Sequence, residues 1–284
     1  MIVSFVMKLR TLTLACALAA ASSTGARADD AAPPPPAAAG DTGTDQATLP
    51  KGRAVIDAFV EIGLNSAGGK PFSIAPDIWY GVTDAITIGL VHSFNGETGF
   101  IGGAPGSSLC FSGSGTCKVY NNVGFDFRYK LKSGTFSWAF DGGLFFDELS
   151  PDVFLDLKLG AIGRWHKDKI ALELEPALYF ALTNRTADDG MGNSVTVNPD
   201  ILDIPVTGFY SISPKFAVAL QLGLELPFES TSDTYRVVLA PGIHYLVTEH
   251  FNVTAAFSFD RLIGGGNAGA ADFKSITIGG SYAL

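Results

Sequence analysis

The sequence predicts an all-β chain: a transmembrane, antiparallel, up-and-down β-barrel of about twelve strands. Three observations lead there. Apolar residues recur at every second position through segments of about 8 to 13 residues, the length of a tilted strand crossing a bilayer. The chain is hydrophobic on average, with a mean hydropathy of +0.26 and 17% charged residues. Beyond its N-terminus, however, it has no apolar run near the roughly 20 residues of a spanning helix. Finally, the positions between the apolar ones carry ionised groups at a density that a dry core does not tolerate.

The N-terminus reads as a processing segment. Met7-Lys8-Leu9-Arg10 is basic, Leu12 to Ala21 is apolar, and Ala26-Arg27-Ala28 supplies a small-x-small cleavage site. Residues 1–28 therefore read as a secretory signal peptide, with the mature chain starting at Asp29. Three of the 19 Lys and Arg residues and none of the 28 acids lie in that segment. The mature chain is thus more acidic than the whole, which argues against a nucleic-acid partner. Residues 29–52, with Pro33-Pro34-Pro35-Pro36 among Ala, Gly, Thr and Asp, form a Pro/Ala-rich periplasmic leader, extended or disordered. Residues 53–284 form the barrel.

Each predicted strand sorts its residues onto two faces. In the first, Ile56, Ala58, Val60, Ile62 and Leu64 oppose Asp57, Phe59, Glu61 and Gly63. In the sixth, Leu155, Leu157, Leu159 and Trp165 oppose Asp156, Lys158, Arg164 and His166. In the seventh, Ile170, Leu172, Leu174, Leu178 and Phe180 oppose Glu173, Glu175 and Tyr179, and in the ninth Phe216, Val218, Leu220, Leu222 and Leu224 oppose Gln221 and Glu225. Connections alternate between tight links, such as Thr83-Asp84 and Lys167-Asp168, and longer ones, such as Asn95 to Thr116. Short turns on one rim and long loops on the other are the membrane-barrel layout. Pro76, Pro176, Pro205 and Pro241 fall inside predicted strands, where each removes a ladder donor, and β-bulges are expected at some of them.

Descending strands end in an aromatic on the apolar face: Tyr80, Tyr129, Trp165, Tyr210, Tyr245 and Tyr282. Such rings suit the headgroup level, with the body in lipid and the polar tip in water. A local pattern recurs in Tyr80 to Ile86, Tyr210 to Phe216 and Tyr245 to Phe251. The chain ends in a strand, Thr277-Ile278-Gly279-Gly280-Ser281-Tyr282-Ala283-Leu284, with Ile278, Gly280, Tyr282 and Leu284 on one face. This ending resembles the C-terminal assembly signal of bacterial outer-membrane β-barrels, although that family usually closes on Phe. The recurring strand-turn-strand unit is similar to that of small porin-like and transporter-like outer-membrane barrels of unassigned substrate. The resemblance implies a cell outer-membrane location in a Gram-negative envelope, outer-membrane lipid as surroundings, and recognition of Thr277 to Leu284 by the barrel-assembly machinery.

The candidate chemistry lies on the inward face. Asp57, Glu61, Asp77, Asp126, Asp141, Asp147, Asp156, Glu173, Glu175, Asp203, Glu225 and Asp260 stand against Arg128, Lys130, Lys158, Arg164 and Arg236. That excess of acids predicts a passive or weakly cation-selective channel for small hydrophilic solutes or ions. The alternative is a closed structural or adhesive barrel filled by paired charges. A less favoured third reading is an outer-membrane lipid-modifying enzyme, which needs a Ser and His pair on the outward face. His166 and His244 fall inward and no catalytic set stands out. No cofactor or metal is indicated, the loop acids lacking a ligand spacing. Cys110 and Cys117, in the longest loop of an exported chain, suggest a disulfide, with two free thiols or a partial metal site as alternatives.

Overall fold

The computed structural model describes residues 47–64, 70–101, 109–112, 120, 122–149, 152–188, 190–191, 194–229, 234–264 and 273–284. The expected signal peptide, its cleavage site and most of the leader lie outside them, as does Cys117.

The strands are β1 (Ala54–Gly63), β2 (Phe72–Thr83), β3 (Ile86–Val91), β4 (Leu109–Ser112), β5 (Val123–Lys132), β6 (Phe136–Glu148), β7 (Phe154–Lys167), β8 (Ile170–Leu174), β9 (Ala177–Ala181), β10 (Thr186–Asp188), β11 (Ser194–Thr196), β12 (Ile201–Ser213), β13 (Phe216–Pro227), β14 (Arg236–Thr248), β15 (Phe251–Gly264) and β16 (Lys274–Ala283). One short helix, α1 (Phe94–Thr98), follows β3. Neighbours in sequence pair antiparallel around the wall, and β1 pairs with both β2 and β16, so the sheet closes on itself. Counting β8 and β9 as one interrupted strand, setting apart the separate β10–β11 hairpin, and taking β4 with β3 as sharing one edge of β2, the wall is a 12-strand up-and-down barrel. Closure satisfies the backbone groups that lipid cannot.

Sidedness is the inverse of a water-soluble fold. Ile78, Phe125, Leu172 and Leu222 are exposed on the outside, at 46, 57, 44 and 51%. Asp77, Lys158 and Gln221 are buried inside, at 1, 1 and 0%. Because side chains alternate along a strand, one register error would exchange these two sets, which fixes the register strongly. Tyr80, Tyr129, Tyr210, Tyr245 and Tyr282 are half exposed on the apolar face, Trp165 is half buried beside them in sequence pattern, and all six lie within three residues of a strand end.

The tight turns explain the recurring pattern. Thr83 Oγ1 accepts from the backbone N–H of Ala85 and Ile86, Ser213 Oγ from Lys215 and Phe216, and Thr248 Oγ1 from His250 and Phe251. In each unit the ladder shifts between the first and third residues after the tyrosine. A bulge turns the strand end and the hydroxyl caps the amides the turn exposes.

The proline expectation is corrected. Pro76 faces Ala58, Pro205 faces Gly223 and Pro241 faces Leu220 with no register shift at any of them. Pro176 splits one wall strand into β8 and β9, yet the pairing of both pieces with β7 and β12 runs on in the same register. The prolines stand instead where a ladder is already open. Pro76 is the clearest case: β3 covers β2 from Ile78 onward, β4 covers it up to Ile74, and Pro76 lies in the interval. Its carbonyl, on the same edge as its missing N–H, meets Nδ1 of His92 at 2.7 Å.

Candidate functional site: the barrel lumen

The lumen is shaped by a segment that leaves the wall. β3 stops after Val91, and the carboxylate of Asp77 on β2 receives the next backbone N–H groups, those of His92 at 2.7 Å and Ser93 at 2.8 Å. The Ser93 hydroxyl also donates to Asp77. Ser93 then caps α1 by accepting from Gly96 N at 2.7 Å, while Asn122 Nδ2 holds the His92 carbonyl at 3.0 Å. Gly99, at φ 74°, ends the helix in the left-handed conformation that glycine adopts without strain.

From that turn the chain docks on the other side of the barrel. Tyr179 on β9 donates its hydroxyl to the Glu97 carbonyl at 2.7 Å. Gln221 on β13 donates from Nε2 to Gly99 O at 2.7 Å and to Thr207 Oγ1 at 2.8 Å, and its Oε1 accepts from Ile101 N at 2.6 Å. Phe100, fully buried, fills the space over Gly223, where an added Cβ would come within 1.9 Å of its ring. Asp77, Tyr179 and Gln221 thus make residues 92–101 a roof across the lumen. The long loop was legible in the sequence; its destination was not, although Ser93 ahead of Glu97 is an N-cap signal.

A second insertion comes from the other rim. Ala47, Thr48 and Leu49, the end of the described leader, are buried at 3, 2 and 8%. Leu49 N donates to Thr87 Oγ1 at 2.7 Å and packs with Val55, Trp79, Val91 and Phe145, while Ala47 packs with Ala139 and Ile162. Residues 47–49 of the expected extended or disordered leader are thus buried inside the barrel.

The predicted inward charges sort into paired and unpaired groups. Lys158 Nζ lies 2.6 Å from Asp141 and 3.3 Å from Asp126, and Arg128 Nε lies 3.3 Å from Asp141 and 3.7 Å from Asp126. The Arg128 guanidinium also covers Trp79 at 4.0 Å. Arg164 meets Glu173 at 2.5 Å and Arg236 meets Glu225 at 2.5 Å. Other acids are held by neutral donors: Glu61 by Ser73, Asp156 by Asn198, Asp260 by Ser275 and Asp57 by Ser281 and Trp79. Among the described residues, Glu175 and Asp203 have no basic side chain within 4.0 Å. Between roof and leader lies a cavity of about 150 Å³, lined among others by Asp57, Trp79, Arg128, Arg164, Glu175 and His244. No group of His, Cys, Asp and Glu suited to a metal ion occurs among the described residues. Cys110 is buried on β4; the bridge proposed for it reaches Cys117, outside the described residues.

A closed antiparallel barrel with an apolar belt outside and an ionised wall inside is an outer-membrane β-barrel. No family model and no curated protein matches this chain. Solved structures do share the fold. The chain is similar to the NanC porin, with a TM-score of 0.57 at 12% identity, over 81% of this chain and 100% of that one. It is also similar to the KdgM porin, with a TM-score of 0.50 at 12% identity, over 81% of this chain and 99% of that one.

Proposed function

We propose that this barrel is a narrow, weakly cation-preferring channel for small hydrophilic solutes. The observation that carries the reading is the lumen wall. Arg128, Lys158, Arg164 and Arg236 are engaged by Asp126, Asp141, Glu173 and Glu225, while Asp57 and Glu175 face the cavity without a basic side chain within 4.0 Å among the described residues. Uncompensated carboxylates in a narrow passage lower the energy of a passing cation and raise that of an anion. The solved porins to which the chain is similar support a channel in kind. One KdgM porin structure is described with disordered oligogalacturonate, a polyanion; the acid excess here favours a different solute charge.

The test is planar-bilayer recording in a salt gradient, repeated with Asp57→Asn plus Glu175→Gln. Glu173 is a poorer choice, because neutralising it releases Arg164 from its pair. The expected result is a cation preference that moves toward zero in the double variant. Anion preference in the unaltered protein would refute the assignment. A silent bilayer with insertion verified by gel mobility would favour the closed structural or adhesive barrel, which the two lumenal insertions make the serious competitor.

A further inference from the structure

The roof formed by residues 92–101 is fastened on both sides of the barrel, whereas residues 47–52 of the leader, those described, are hydrogen-bonded mainly at the rim. We propose that Ala47–Leu49 is a removable stopper: a strap that closes the lumen's mouth on the short-turn rim and leaves its seat when solute passes. The proposal rests on the channel reading. It goes beyond it by assigning Ala47–Leu49 a gating role.

The strap enters over the rim between β1 and β2. Gly52 N donates to Gly81 O at 2.7 Å, Gly81 N to Arg53 O at 2.9 Å, and Lys51 N to Asp84 Oδ1 at 3.0 Å. These contacts hinge the strap at the rim and involve Lys51 to Arg53, not Ala47 to Leu49. Further in, the seat is small. Among the described residues one hydrogen bond reaches it, Leu49 N to Thr87 Oγ1, and its apolar contacts are those of Leu49 and Ala47 described above. Together with Thr48 these residues line the floor of the cavity whose roof is Asn95, Gly96, Gly99 and Ile101. Solute entering past the roof therefore meets the strap.

Two features mark the seat as built and reversible. Gly81 admits the strap: a Cβ there would stand 2.0 Å from Pro50 O and 2.9 Å from Leu49 O, so any other residue displaces the chain. Against the seat, Thr48 Oγ1 is buried with no hydrogen-bond partner among the described residues. An unpartnered hydroxyl regains water when the strap withdraws, which offsets part of what Leu49 loses on exposure. Contacts of this size suit a segment that opens locally while the barrel stays folded.

The experiment uses the whole chain and two variants, Gly81→Ala and Leu49→Asp, each checked for barrel folding by gel mobility. Current is recorded in planar bilayers. In parallel, quenching of Trp79 by acrylamide, a neutral quencher that the lumen's charge does not exclude, is measured with Trp138→Phe and Trp165→Phe as background, since Trp79 is covered by the strap and Trp138 and Trp165 lie on the lipid face. We expect brief, infrequent openings in the parent and a several-fold larger open probability in both variants, with several-fold stronger quenching. Stronger quenching with all proteins silent keeps the strap as a removable cover and refutes the channel reading alone. Unchanged quenching overturns the stopper, and so does stronger quenching with parent-like currents, which would show a strap that leaves without having closed anything.

Discussion

Lys158 on β7 reaches Asp141 on β6 at 2.6 Å, and the same ammonium reaches Asp126 on β5 at 3.3 Å, so one cation ties three neighbouring wall strands together. All three side chains are almost fully buried. Removing one member of a buried network is costly because the remaining charges stay in place, about 3 to 5 kcal/mol in comparable cases. We predict a loss of that order for Lys158→Met, read from urea unfolding followed by gel mobility. Adding Asp141→Asn should recover most of it, since Arg128 and Asp126 then remain as a balanced pair. A double variant as unstable as the single one would show that the lysine acts through packing rather than charge.

Gln221 holds the roof with hydrogen bonds to Gly99 and Ile101. Gln221→Leu leaves those two backbone groups without partners, a cost of about 1 to 3 kcal/mol. The wall should remain intact, so the expected signature is noisier current and faster hydrogen exchange at Ile101, whose N–H loses its acceptor, with an unchanged gel shift. Protection equal to the parent's would mean that Phe100 and Tyr179 hold the roof unaided.

Two glycines give a paired test of the same contact. Gly223→Ala places a methyl group within 1.9 Å of the Phe100 ring and should expel it, whereas at Gly208 the nearest side-chain atom, on Leu172, lies at 3.5 Å and alanine is accommodated. Thermal unfolding and channel noise should change for the first variant and stay within error for the second.

The Arg185 guanidinium outside the wall holds Asp200 at 2.6 Å and also pairs with Glu229. The hydrogen bond from Arg185 lowers the pKa of Asp200 below its ordinary carboxylate value. A depressed folded-state pKa contributes stability above the unfolded value of about 4, and that contribution is lost as pH falls through the folded value. The contact is solvent-exposed, so its effect is local. Exchange protection of the β10–β11 hairpin should hold from pH 7 to about 4 and decay only below that. Decay beginning near pH 6 would assign the hairpin's stability to another group.

Much of the wall could be read from residue spacing. Alternation in β1, β7, β8, β9 and β13 sorts residues onto the faces where the structure has them, because the period of a strand is independent of what surrounds it. The interior was less legible. Nothing near Gly99 in sequence announces Gln221, and the strap depends on Gly81 leaving a space that a composition-based reading of residues 29–52 ignores. One signal was present and misread. A proline in a closed barrel requires an open stretch of ladder, and Pro76 marks where β3 abandons β2 and turns inward. Read as a bulge, it concealed the start of the roof.

The link between Gln221 and Gly99 spans 122 residues of chain, and that between Tyr179 and Glu97 spans 82. Each anchor is positioned by a strand paired on both sides, so the roof is expected to arrive late, seated into a wall that already stands. Contacts of such long sequence separation form after the local hairpins that precede them. Weakening these anchors should therefore leave the rate of barrel formation almost untouched and hasten escape from the finished state. The passage would be narrowed at the last step of maturation, and a newly inserted barrel would pass through a brief period of greater permeability before its roof settles.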